Sequence, residues 1–264
     1  MVNSKANNQE ATMESTARLR VVILLVLIGV ALASSLWAVW PWPTGDWKGL
    51  ALNFGTEMAG AVVTYLLLEL VIGRMEKSEV EREVEEKERE AKKADLIAQM
   101  GSSVKDVAVA AAEELGRHGW LYDGSLQGAY LLDADLQGAN LIGANLQGAD
   151  LFSAKLQRAT LFRANLQVAN LFQANLQEAR LIGGNLQGAF LDGTNLQGAT
   201  LFQADLQGAS LEFANLREAN LQWANLNENT TLPDGTKWTP DTDMARFTDP
   251  DHPDFWQPDA EVSW

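Results

Sequence analysis

Cysteine is absent from the 264 residues, which excludes a disulfide framework, thiolate metal sites and sulfur nucleophiles. Histidine is nearly absent: His118 has no second ligand or nucleophile at a recognisable spacing, and His252 stands among prolines and acidic residues. Positive charge is in deficit. With 20 Lys and Arg against 35 Asp and Glu, the formal charge is −15, whereas a phosphate-contacting nucleic-acid binder needs a basic face. No nucleic-acid partner is therefore expected, although such acidity raises the question of DNA mimicry. What the chain does contain changes sharply along its length, so each stretch is read by itself.

No charged residue occurs from Val21 to Trp40, and about 20 residues is what a helix needs to cross a ~30 Å hydrocarbon core. Trp37, Trp40 and Trp42 gather at the far end, where Pro41 and Pro43 stop the helix. A second apolar stretch, 50–73, follows a short turn. Residues 21–73 are thus expected to form a transmembrane helical hairpin, about 21–40 and 50–73, with the lipid bilayer as a partner. Lys5, Arg18 and Arg20 precede it, Lys48 alone lies between, and Arg74, Lys77 and Arg82 follow, which predicts a multi-pass cell-membrane protein with both termini cytoplasmic. Ala31-Leu32-Ala33 before Ser34 resembles a signal-peptide cleavage site, but the apolar run continues to Trp40, which favours a retained anchor. Glu57 and Glu69 put charge inside the second span and are the intramembrane functional candidates, readable as interfacial groups or as helix–helix and oligomer contacts.

Residues 74–100 are rich in Glu, Lys and Arg, with Glu83/Lys87, Glu85/Arg89 and Glu88/Lys92 four apart in the favourable order. With no Gly or Pro from Arg74 to Met100, the expectation is a solvated helical stalk. In 101–124, Gly101-Ser102-Ser103 reads as a helix end and a Ser N-cap. A second helix should follow, with Val107, Ala110, Ala111 and Leu115 on one face, covering the start of the next element.

From Ser125 to Asn229 the chain is a tandem array of twenty-one five-residue units, such as SLQGA, YLLDA and DLQGA. A period of five is neither that of a helix nor that of a flat strand, so each unit must repeat one backbone turn. Leu holds the second place of every unit, Leu126 through Leu226, and a small residue, nearly always Ala, follows three places later.

This A-(D/N)-L-x-x pattern resembles the pentapeptide-repeat family. The resemblance implies a right-handed quadrilateral parallel β-helix, four units to a square coil, with Leu and the Ala two residues before it pointing inward. Residues twenty apart would then stack, giving about five coils and ~25 Å of length. Leu132, Phe152 and Phe172 fall in one outward column ending in Asp192 and Glu212, and Ile142, Phe162, Ile182 and Phe202 fall in the column opposite. These seven residues are the candidate interaction surface. The alternative is that stacked side chains only stabilise neighbouring strands, by ~0.2–1 kcal/mol per pair.

Some family members mimic DNA and bind gyrase through a strongly acidic rod. This array holds nine acidic against five basic residues, a net of only −4. Residues 230–264 read as a closing turn around Pro233-Asp234-Gly235, with Trp238 over the last Leu layer, then an acidic, solvated tail. The composite expectation is a non-catalytic, membrane-tethered scaffold for a protein partner or a second copy, without cofactor or metal. The alternative is a subunit of an oligomeric membrane sensor or transport assembly.

Overall fold

The computed structural model describes residues 28–29 and 47–257, with side chains for 28–29 and 60–257. The chain divides into two compact units, Met1–Glu86 and Lys87–Trp264. Helix α1, Trp47–Met100, begins in the first and ends in the second. Among the described residues no helix is long and apolar enough to cross a membrane. The stretch 50–73 of this helix is broken by the charged residues Glu57 and Glu69. This corrects the expected two-span cell-membrane location with cytoplasmic termini, the transmembrane hairpin and the bilayer as partner. Apart from residues 28–29, the first expected span lies outside the described residues, as does the side chain of Glu57. Glu69 is half-buried on α1.

From 79 to 92 every residue of α1 is exposed, and only its last turns pack on the core. Met100 is fully buried, and Leu96 and Ile97 pack on the core. Lys92 reaches Glu114 at 3.0 Å instead of Glu88, and Lys93 bridges Glu90 at 3.0 Å and Asp123 at 3.3 Å. Helix α2, Lys105–Arg117, buries Ala108, Ala111, Ala112 and Leu115, while Val107 and Ala110 are exposed. The inward stripe therefore centres on small alanines, which let the helix backbone lie close to its support. Neither serine is the N-cap; Val104 holds that place, and its N–H donates to Ser102 Oγ at 3.1 Å.

The repeats form a right-handed β-helix. Parallel bridges join residues twenty apart from Tyr130↔Asp150 to Asp205↔Asn225, so four five-residue sides close each coil. Leu and the small residue point inward; Leu131 to Leu211 are all fully buried, each worth ~1.5–3 kcal/mol of apolar transfer. Thr194 replaces Ala in this interior, and its hydroxyl donates to Leu171 O at 2.8 Å.

The five-residue period becomes a closed hydrogen-bond account in the unit 145–149. Asn145 N–H donates to Leu121 O of the connector, Leu146 N–H to Asn165 O and Gly148 N–H to Gln167 O, while Ala149 N–H closes a turn on Leu146 O. The fifth donor, Gln147 N–H, goes to the Asn145 side chain at 3.4 Å. This last bond recurs at other units where Asn or Asp precedes Leu, as at Asn165, Asn185 and Asn195, because a short acceptor reaches the N–H two residues on; after Asn225 the Asn227 N–H goes to Thr230 Oγ1 instead. The residue two after each Leu from Leu126 to Leu221 has φ near +60°, as a type II turn requires at its third position.

Both ends of the solenoid are covered. At the start, Ser102 O accepts from Asp135 N–H at 2.9 Å and Leu121 O from Asn145 N–H at 2.8 Å, so α2 and its flanks occupy the open edge. At the finish, one extra residue shifts the register so that Ser210 pairs with Thr231, and Thr230 is buried with its hydroxyl on Leu206 O. Phe247, on the short α3 (Ala245–Thr248), is 2% exposed, whereas Trp238 is only partly buried. The tail to residue 257 is thus not simply solvated but closes the solenoid through Phe247.

Candidate interaction surface

Four sides per coil give four outward faces, named here by one residue each: Phe152, Lys155, Phe162 and Asn145. The Phe152 and Phe162 faces lie opposite one another, as do the other two. The structure brings Leu132, Phe152 and Phe172 into one column, and Ile142, Phe162, Ile182 and Phe202 into the opposite one. The rings of Phe152 and Phe172 stack with centroids 5.6 Å apart and planes within 4°. Their contact covers Phe152 to an intermediate degree, while Leu132 and Phe172 remain exposed. Opposite, Ile142 and Phe162 are exposed, Ile182 and Phe202 are half-buried, and the Arg163 guanidinium sits 5.2 Å from the Phe162 ring centre.

Four further exposed aromatics were not in those columns: Tyr130, Phe190 and Phe213 on the Phe152 face, and Trp223 on the Phe162 face. They occupy the positions before Leu and two after it. Those positions are also outward, so the repeat carries this signal at registers other than that of the two columns.

Charge separates the faces more sharply than apolarity does. The Phe152 face carries Asp133, Asp150, Asp192 and Glu212 and no base; the Phe162 face carries Arg163 and Arg180 and no acid. On the Lys155 face, each base pairs within the chain: Lys155 with Asp135 at 3.3 Å, Arg158 with Glu178 at 2.8 Å and Arg217 with Glu218 at 3.3 Å. The hydrogen bond from Arg158 holds the Glu178 carboxyl below the usual carboxylate range and raises Arg158 in turn. On the Asn145 face, Gln147, Gln167 and Gln187 zip into an amide ladder ending on Asp205 at 2.7 Å. On the same face Asn165 donates to the Asn145 side-chain oxygen at 3.2 Å.

Two concavities lie beside these faces. One, of about 280 Å³, is lined by Lys105, Gln137, Gln157 and the Arg158–Glu178 pair. The other, of about 490 Å³, lies between α2 and the first coil and is lined by Arg117, Tyr122 and Asn140. Among the described residues no group of His, Cys, Asp or Glu is placed to hold a metal ion.

The model of pentapeptide repeats matches residues 129–167, 174–201 and 194–228, in eight copies. No curated protein matches. Among solved structures, HetL, a pentapeptide repeat protein involved in heterocyst differentiation regulation from Nostoc sp. strain PCC 7120, is 33% identical over 42% of this chain and 63% of its own, with a TM-score of 0.30. A pentapeptide repeat protein, Rfr23, from Cyanothece 51142 is 43% identical over 38% and 64%, with a TM-score of 0.23. A third, from Nostoc PCC 7120, is 38% identical over 35% of this chain and 79% of its own, with a TM-score of 0.19. The chain spans a little under two thirds of the first two. Eight matched copies fall on the residues whose bridges run at a spacing of twenty, and the chain belongs to the pentapeptide-repeat family.

Proposed function

We propose that the β-helix is a non-catalytic docking scaffold that takes a protein partner on its two apolar columns. The observation that carries this reading is the pair of opposite faces whose outward apolar side chains are still solvent-accessible after stacking on their own neighbours. Strand-to-strand stabilisation alone would be served by contacts within each column; it gives no reason for Tyr130, at 83% exposure, or Phe190 beside them. The interior supports binding over catalysis, because it is filled by Leu and Ala and leaves no cleft to shelter a reacting group. DNA mimicry is disfavoured by charge placement: one face is basic, one is internally neutralised, and the acidity is not continuous around the solenoid.

The test is proximity labelling from a tag on the full chain in its native cell. Wild type is compared with the variant in which Phe152, Phe162, Phe172 and Phe202 are all Ser. Loss of a defined neighbour, with the far-UV circular dichroism unchanged, is the expected outcome. An unchanged neighbour set would make the columns purely structural.

A further inference from the structure

We propose that the occupant of these columns is a second copy of this chain, with the Phe152 face of one molecule laid on the Phe162 face of the next. The inference rests on the docking reading above and adds the identity of the partner. Three observations carry it.

The first is charge complementarity. Asp133, Asp150, Asp192 and Glu212 stand on one face and Arg163 and Arg180 on the opposite one, and among the described residues none of the six makes an ion pair within the chain. The array does pair charges where it can, since every base on the Lys155 face has its acid. Asp205 and Glu228 on the Asn145 face also lack an ion pair among the described residues, but only the two apolar faces carry unpaired charge of opposite sign.

The second is register. Both columns rise by one side chain per coil of the same solenoid, so two copies side by side match coil for coil at the ~4.8 Å strand spacing. Leu132, Phe152 and Phe172 span the same coils as Ile142, Phe162 and Ile182. The third is the chemistry of the contact. Aromatic and branched side chains form the centre with guanidinium and carboxylate groups among them, which is the pattern of a protein interface core with a charged rim.

Because the two faces differ, the contact is heterologous, and each added copy presents a fresh face for the next. A flat side five coils long and about 10 Å wide buries less than the ~1,200 Å² of a standard interface, so each contact is weak and assembly grows with concentration.

The experiment is sedimentation velocity of the purified full chain from micromolar to high micromolar concentration, at low and high salt. Wild type is expected to shift to larger species as concentration rises, and to lose them at high salt. Arg163→Glu with Arg180→Glu makes both faces negative; Asp133→Arg with Asp192→Arg makes the Phe152 face net neutral and breaks its complementarity to the arginines. Each double variant alone should lose at least tenfold in apparent association. An equimolar mixture should recover pairwise association, because the unaltered acidic Phe152 face of the arginine variant meets the unaltered basic Phe162 face of the aspartate variant. Variants that assemble like wild type, a mixture that stays dissociated, or a wild type that is monomeric throughout would each overturn the proposal. If that happens while the four-Phe variant still loses its cellular neighbour, the docking reading stands and the partner is a different protein.

Discussion

Val168 shows what the repeat demands of a single residue. It lies at a turn corner with φ +52°, where eleven non-glycine residues of the array are forced to positive φ. A β-branched side chain suffers most there, because its two γ atoms crowd the following peptide; a left-handed residue costs roughly 1–2 kcal/mol. Val168→Gly removes that strain and returns part of the gain as unfolded-state entropy, roughly 0.4–1 kcal/mol. The expected net is about 0.5–1 kcal/mol of added stability, read from the midpoint of urea unfolding. Thr194 is the contrasting case. Its buried hydroxyl is satisfied by Leu171 O, so a polar group enters an apolar interior without an orphaned donor.

At the scale of elements, the junction between the end of α1 and α2 is held by charge. Glu114 accepts from Lys92 at 3.0 Å, pairs with Arg117, and has His118 at 3.1 Å; His118 in turn stacks on Trp120 with ring centres 4.2 Å apart. The hydrogen bond from Lys92 is the main reason the Glu114 carboxyl lies below its ordinary value, with His118 and Arg117 adding to it against some burial. A depressed folded-state value means the stabilisation is present above the unfolded value, ~4.3, and is lost as pH falls through the lower folded one. Acidification into that window should speed hydrogen exchange of the α2 amides before those of the central coils. Glu114→Gln should abolish the difference between pH 6 and pH 3. Exchange rates of α2 that do not respond to pH beyond the intrinsic chemistry would remove Glu114 from this role.

For the whole solenoid, each coil contacts only its neighbours, so stability is set coil by coil and the ends are where fraying starts. The last coil depends on Phe247, held by Glu218 N–H on Thr248 O at 2.7 Å and Trp256 N–H on Arg246 O at 2.7 Å. Phe247→Ser should cost on the order of 3–5 kcal/mol locally, as for other large core truncations, and expose the layer beneath. Amides of 206–231 should then exchange faster, while those of 130–150 keep their protection. Uniform loss across the array would mean that the solenoid unfolds as one cooperative block.

Leu at every second place and a small residue three later settled the interior from sequence alone, because a period of five admits one backbone turn per unit and only one pair of its side chains can point into a narrow square. The seven column residues were legible through the resemblance to the pentapeptide-repeat family, which implies four units to a coil, and the bridges run at that spacing of twenty. Phe247, the alanine stripe of α2 and the capping by Ser102 O and Leu121 O were not, because each depends on where a non-repeating segment lands against the coil, and no period reports that. Hydropathy read 50–73 as a span from its count of apolar residues, whereas among the described residues no helix is long and apolar enough to cross a membrane. Which charges remain unpaired was also decided by tertiary structure: sequence shows nine acids and five bases in the array, but only the closed coil sorts them onto faces, pairing those of one side and leaving Asp and Glu opposite Arg on two others.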